Sequence, residues 1–275
     1  MALGETMNQF FTIALPRDHS LQKLVDYYFY IDTSVAELAV AEEYMIPFPR
    51  ITFGYFFDHP FEVTNHTLQQ QRTVHIAISR LSTHQITVIP LSSRVQIAGA
   101  HVRPFALAYL TKEHISALPW LINPYDLLAP HAQRFDEQIN RCNTPEAAFE
   151  VIEHTFLNAL LKRNLDLIGE AVRLIDHSLG IIQVEEVAHK LNVTSRTLRN
   201  HFDQYVGCSP KEYIQLVRLK QTAFQMYHAS DSLTAIGYDN QFADQAHFAN
   251  TVKAMVGKSP KKLREDLSHF RFLQF

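Results

Sequence analysis

Val206-Gly207-Cys208-Ser209-Pro210-Lys211 returns fifty positions later as Val256-Gly257-Lys258-Ser259-Pro260-Lys261. Nine residues ahead of each glycine stands an apolar anchor, Leu198 in one copy and Phe248 in the other. Each anchor follows a polar stretch suited to opening a helix, Thr194-Ser195-Arg196-Thr197 and Asp244-Gln245-Ala246-His247. A short helical unit repeated within one small domain marks a duplicated module, and its parts read as a helix-turn-helix.

The first copy shows why. Val184, Val187, Ala188 and Leu191 follow the i, i+3, i+4, i+7 spacing of an amphipathic helix. Asn192-Val193 breaks that period, and the Thr194 hydroxyl can accept an orphan backbone N–H as the cap of the next helix. On that second helix Leu198, Phe202 and Tyr205 share one face, while Ser195, Arg196, Arg199, Asn200 and Asp203 share the other. Gly207 then stops the helix, because it enters the left-handed region without a Cβ clash. An apolar inner face and an Arg/Asn/Ser outer face on the second of two short helices suit entry into a major groove.

The segment from about Ile168 to Leu263 resembles the DNA-binding domain of the AraC/XylS family of bacterial transcription regulators. The matching residues run in order through Val184-Glu185-Glu186-Val187-Ala188, Thr194 to Leu198, Phe202, Gly207-Cys208-Ser209-Pro210, Tyr213, Arg218-Leu219 and Ala223. They continue through Ile236-Gly237-Tyr238, Phe242-Ala243-Asp244-Gln245, His247-Phe248 and Gly257-Lys258-Ser259-Pro260. Two positions depart from the family pattern. Gln241 stands where Gly is usual before the Phe of the second joint, so that joint is expected to be strained or differently shaped. Gly237, where Ala is preferred, weakens the short helix before it.

The resemblance implies double-stranded DNA as a partner, RNA polymerase as another, and activation as the commoner outcome. It places Ser195, Arg196, Arg199, Asn200, Gln245, Ala246 and Asn250 toward the bases. Arg pairs bidentately with guanine, and Asn or Gln with adenine, each worth roughly 1–3 kcal/mol of discrimination. With Ala246 and Ala249 the second helix is nearly bare, so Arg196 and Arg199 should carry most of the specificity. Thr194, Lys211, Arg218, Lys253, Lys258 and Lys261 are expected at phosphates, which position a protein without reading sequence. For Arg218 an equal expectation is an ion pair with an acid such as Asp244.

Charge distribution supports this arrangement. From Ser195 to Arg264 ten Lys/Arg face five Asp/Glu, an excess of +5 that leaves −8 on the remainder of a chain whose formal charge is −3. A cationic reading surface on an acidic carrier fits DNA binding. With 275 residues the chain has room for two cores, and its 47% hydrophobic fraction excludes a disordered protein. No apolar run reaches the roughly 18 residues of a membrane span, and the start Met1-Ala2-Leu3-Gly4-Glu5-Thr6 has no secretory pattern. Cys142 and Cys208 stand alone and far apart, so a reduced, cytoplasmic protein is expected.

The reading overall is α+β. Residues 1–163 form a β-rich domain, a small antiparallel sheet or barrel plus helices, and 164–275 an all-α domain. Within the latter lie helix-turn-helix modules at about 183–206 and 232–256, joined by a helix over about 210–227. The N-terminal strands are expected at Leu24–Ile31, Glu43–Ile46, Ile51–Phe57, Val74–Ile78, Gln85–Ile89 and Val95–Val102, with turn signals such as Ser82-Thr83 between them. Short helices follow at Phe105–Leu110, Lys112–Leu118, Pro124–Leu128 and Gln133–Ile139. A longer one, capped by Thr144 with Pro145 in its first turn, runs to about Leu161, and Lys162-Arg163-Asn164 marks the boundary.

Similarity to N-terminal domains that precede AraC-type modules implies ligand binding or dimerisation there, hence a small-molecule effector or a second copy of the chain. It identifies no ligand. The aromatic groups Tyr27-Tyr28-Phe29-Tyr30 and Phe53, Tyr55, Phe56, Phe57 offer an apolar lining, although core packing is the commoner role. Fifteen His occur without metal-ligand spacing, and no nucleophile elbow or phosphate-cradling loop appears. No cofactor, metal or catalytic residue is therefore expected. The competing reading is a small-molecule-binding or enzymatic N-terminal domain whose C-terminal helices serve as a protein-interaction module, which the bare second helix and Gln241 would suit.

Overall fold

The computed structural model describes residues 11–38, 42–81, 83–128 and 131–267. The opening Met1–Thr6 and the turn residue Ser82 lie outside them. Among the described residues there are ten strands. They are β1 Phe11–Ala14, β2 Val25–Ser34, β3 Glu43–Met45, β4 Ile51–Tyr55, β5 Phe61–Asn65, β6 Gln70–Val74, β7 Ile76–Ser79, β8 Ile86–Pro90, β9 Arg94–Val102 and β10 Leu121–Ile122. All pair antiparallel, in two sheets ordered β1-β2-β9-β4-β7-β10 and β3-β8-β5-β6.

The strands differ from the sequence expectation in instructive places. β4 stops at Tyr55 because Phe57 adopts a left-handed φ of 46°. The strand expected over Val74–Ile78 is two strands, and the chain changes sheets at His75 between them. β6 has an exposed polar face, and β5 ends in Asn65, which is fully buried. The helix expected over Lys112–Leu118 is a single 3-10 turn, Ile115–Ala117, because Leu118 precedes Pro119 and takes an extended ψ of 151°. Phe105–Leu110 is likewise a 3-10 turn, Ala106–Tyr109.

Helices α1 Val35–Leu38, α2 Pro124–Leu128, α3 Ala132–Ile139 and α4 Pro145–Ala159 complete the N-terminal part. Thr144 caps α4 by accepting the Ala147 N–H at 3.2 Å. Side-chain alternation along β4 assigns its aromatics to two different places. Phe53 and Tyr55 pack under α3 and α4, with ring centroids 5.8 and 5.6 Å from Phe135. Phe56 instead joins Phe29 and Phe61 in the cluster between the sheets.

The C-terminal part is helical: α5 Asp166–His177, α6 Val184–Lys190, α7 Ser195–Tyr205, α8 Pro210–His228, α9 Leu233–Asp239, α10 Gln245–Val256 and α11 Pro260–Leu267. Residues 160–165, between α4 and α5, are not helical. The buried apolar side chains on both sides of this stretch belong to one continuous cluster, from Leu21 through Leu165 to Leu267. No described helix is long and apolar enough to cross a membrane.

Candidate functional site

Each helix-turn-helix is built by the same local devices. In the first, Asn192 takes a φ of 53° and Val193 N–H reaches back to the Ala188 carbonyl at 3.0 Å. In the second, Gln241 takes a φ of 53° and Phe242 N–H reaches the Gly237 carbonyl at 3.0 Å. The second joint thus keeps its left-handed residue although no glycine is present. Its cap, Asp244, comes three residues after Gln241, whereas Thr194 comes two after Asn192, so the second turn is one residue longer. Thr194 accepts the Thr197 N–H at 3.0 Å and Asp244 the His247 N–H at 2.7 Å, each satisfying an orphan donor of its helix.

The caps orient α7 and α10. Leu198 and Phe202 are fully buried, while Arg196, Arg199 and Asn200 are exposed on the opposite face and Ser195 is half-buried. On α10 Phe248 and Val252 are buried, and Gln245, Ala246 and Asn250 are exposed. Gln245 is engaged by its own module, its amide donating to the Thr234 hydroxyl. Thr194, Lys211, Lys253 and Lys261 are exposed around the two helices.

Two residues expected at phosphates are placed elsewhere. Arg218 is half-buried; its Nε donates to the Gly180 carbonyl at 2.9 Å and its guanidinium carbon lies 5.7 Å from the Phe242 ring centroid. It therefore braces the second joint against the loop ahead of α6, and no ion pair joins it to Asp244 among the described residues. Lys258 turns inward, with Nζ 2.6 Å from Asp266 and 4.2 Å from the centroid of the Tyr44 ring. Its charge is held between the last helix and β3.

That contact is one of several between the two halves. Both copies of the repeated loop rest on the N-terminal domain. Gly207, at a φ of 84°, lies so close to Ile115 that an added Cβ would come within 2.8 Å of its Cγ2. Gly257, at a φ of 78°, meets the amide of Gln85, 2.9 Å from where a Cβ would stand. A half-buried charge cluster also joins the two halves. Arg50 pairs with Asp26 through Nε, with Asp176 of α5 at 2.8 Å, and donates to the Tyr213 hydroxyl of α8 at 3.1 Å. Burial raises the Tyr213 phenol well above its ordinary pKa, so it stays protonated and donates to Asp176 at 2.7 Å. Arg103 adds a contact to Asp26 at 2.8 Å.

Between the two sheets lies a cavity of about 180 Å³, lined by apolar side chains such as Phe29, Ile31, Met45, Phe56, Val88 and Trp120. Polar side chains reach it from Arg50, Thr52, Ser79, Arg80 and His84, and no carboxylate does. Beside it His101, fully buried among Tyr27, Phe29 and Phe48, is kept neutral; burial pushes its pKa down to about 3. Sequence reasoning pointed to Phe29 and Phe56 but missed Arg50 and Arg80, which as isolated cations read like surface residues. Among the described residues no group of three or more His, Cys, Asp or Glu is placed to hold a metal.

Residues 187–266 match a family model described as a helix-turn-helix domain. The HTH-type transcriptional activator RhaS of Escherichia fergusonii is 30% identical over 92 residues, covering 34% of this chain and 33% of that protein. RhaS of Klebsiella pneumoniae is 32% identical over 92 residues, with the same coverage. The chain thus spans about a third of the length of these curated relatives. Among solved structures, ToxT from Vibrio cholerae superposes with a TM-score of 0.51 over 96% of this chain and 100% of that one, at 11% identity. Wild-type ToxT with an unsaturated fatty acid bound gives a TM-score of 0.50 over 99% and 100%, also at 11% identity. At that identity the likeness is one of fold, and it runs through both halves. Residues 187–266 therefore carry a helix-turn-helix domain, here behind a β-rich N-terminal part.

Proposed function

We propose that the chain is a sequence-specific DNA-binding regulator of transcription, acting as an activator in the bacterial cytoplasm under control of a small molecule. The observation that carries this reading is the division of α7. Leu198 and Phe202 are fully buried, which leaves Arg196, Arg199 and Asn200 together on the exposed face. The N-terminal residues of a recognition helix are the ones that meet base edges. On this reading Ser195, Arg196, Arg199 and Asn200 read bases, Gln245, Ala246 and Asn250 add less, and Thr194, Lys211, Lys253 and Lys261 hold phosphates. Two such helices on one face of a duplex would sit about one turn, or ~10 base pairs, apart.

Its partners would be double-stranded DNA, RNA polymerase and one effector. Activation is supported by the RhaS activators, to which the C-terminal part is similar. An effector is supported by the fatty acid bound to ToxT, and the cavity between the sheets is the space that would hold it.

The test is recovery of genomic fragments by the full chain at about 150 mM salt, beside Arg196→Ala/Arg199→Ala, since non-specific binding is weakened by salt. A discrete motif recovered by the wild type and lost or blurred in the variant supports the reading. Equal, featureless recovery by both would leave only electrostatic attraction and would favour a protein-interaction role for the C-terminal helices.

A further inference from the structure

We propose that Arg218 is a strut between the two helix-turn-helix modules, and that it fixes the one half-site spacing at which the chain binds DNA. The spacing rests on the DNA-binding reading above; the holding of the two modules does not.

Arg218 stands near the middle of α8, and its side chain meets the entry to α6 on one side and the entry to α10 on the other. Nε donates at 2.9 Å to the carbonyl of Gly180, shortly ahead of α6. The guanidinium lies over the ring of Phe242, shortly ahead of α10. Both contacts continue inward. At Gly180, with a φ of 75°, an added Cβ would stand 2.5 Å from the Arg218 backbone nitrogen and 2.6 Å from the Ile214 carbonyl oxygen. The turn into the first module is therefore seated directly on α8. Phe242 is buried, its N–H closes the second joint on Gly237, and its ring centroid lies 5.0 Å from that of Phe248, the inner anchor of α10. One side chain thus links the entry of the first module to the second recognition helix.

The chemistry suits a tie. α8 packs on both modules through the apolar core, and apolar contact is non-directional, so by itself it leaves the modules some freedom to roll. A hydrogen bond to a carbonyl is directional. The planar guanidinium donates edgewise while its face covers a ring, two contacts that a lysine ammonium does not combine in one geometry. The group is half-buried, and burial lowers its pKa, a cost borne without a carboxylate partner among the described residues. Support from the N-terminal domain is softer, because Gly257 meets the flexible end of Gln85. One base pair more or less between half-sites moves the second by ~3.4 Å along the duplex and about a tenth of a turn around it. A reader of fixed geometry cannot follow that change.

Wild type, Arg218→Met and Arg218→Lys are measured as full chains on the recovered DNA site, with one base pair added or removed between its halves, and across a salt series. The wild type is expected to lose about 10-fold or more at either altered spacing. Arg218→Met should bind all the spacings within about threefold of one another, with an unchanged salt slope. Arg218→Lys should behave like Arg218→Met, since it keeps the charge and loses the fork. If Arg218→Met is unfolded by circular dichroism, Phe242→Leu takes its place, removing the ring face while keeping an apolar side chain.

A phosphate contact predicts the opposite: uniform loss at every spacing, a salt slope smaller by about 1, and recovery in Arg218→Lys. That pattern overturns the strut, as does a wild type indifferent to spacing or a variant as selective as the wild type. The tie is also read without DNA, from the distance between spin labels at Asn200→Cys and Asn250→Cys in a Cys142→Ala/Cys208→Ala chain. With Arg218 present the distance should be single and narrow, and with Arg218→Met it should broaden; equal widths overturn the tie. Failure of the wild type to recover any motif overturns the regulator reading instead, and the label distances still decide whether Arg218 holds the modules.

Discussion

The two helix-turn-helix modules share a plan and differ in equipment. Their joints are closed by the same hydrogen bond and turned by a residue at the same φ of 53°. Yet α7 presents two arginines and an asparagine on its exposed face, whereas α10 presents Gln245, Ala246 and Asn250, with the glutamine already engaged to Thr234. Scaffold and reading surface have thus been set independently. The two copies share the geometry that any recognition helix needs, and only the first presents exposed arginines from its helix, the side chains that the proposed reading assigns to guanine.

Removing those donors is the severest test of this contrast. Arg196→Ala/Arg199→Ala is expected to weaken specific binding by about 100-fold or more, because two bidentate contacts are each worth roughly 1–3 kcal/mol. Gln245→Ala/Asn250→Ala should cost less than about 10-fold in the same gel-shift or fluorescence assay. A reversed order would mean that the second module is the principal reader.

Smaller effects probe the scaffolds. Gly207→Ala and Gly257→Ala both force a Cβ into a left-handed position, but the first meets Ile115, including its backbone, and the second the flexible end of Gln85. Denaturant unfolding should show a loss of about 2 kcal/mol or more for Gly207→Ala and about 1 for Gly257→Ala. Equal losses would show that the two docking contacts are equally rigid. The smallest effects concern the joints. Gln241→Gly should stabilise by about 0.5 kcal/mol, as relief of left-handed strain outweighs the added chain entropy. Asn192→Gly should change little, since Asn tolerates that region. Destabilisation by Gln241→Gly would mean that the glutamine contributes a contact beyond its backbone conformation.

The helical half was legible because its signals are local. Thr194, Asp244, Gly207 and Gly257 each declare a helix end by their own chemistry, and a helix needs only neighbours along the chain. The sheet half hid its contents. Gln70-Gln71-Arg72 carries no apolar alternation, so β6 is visible only once β5 is paired with it. Asn65 lies fully buried at the end of β5, where it accepts the Leu68 N–H and meets His84 across the sheet's loops. The candidate site divided in the same way. Exposed positions on α7 and α10 followed from helical spacing, but the inward turn of Lys258 depends on Tyr44, more than two hundred positions away. Arg50 and Arg80 acquire their roles solely from partners that the fold brings together.

The charge cluster around Arg50 has a consequence for how the chain behaves when cut. The non-helical residues 160–165 invite a protease, but a nick there would leave Asp176 and Tyr213 on one piece and Arg50, Asp26 and Arg103 on the other. Separation would strip half-buried charges of their partners and would open an apolar core that runs through both pieces. The nicked protein should therefore migrate as a non-covalent complex of two fragments, each acting as the other's chaperone.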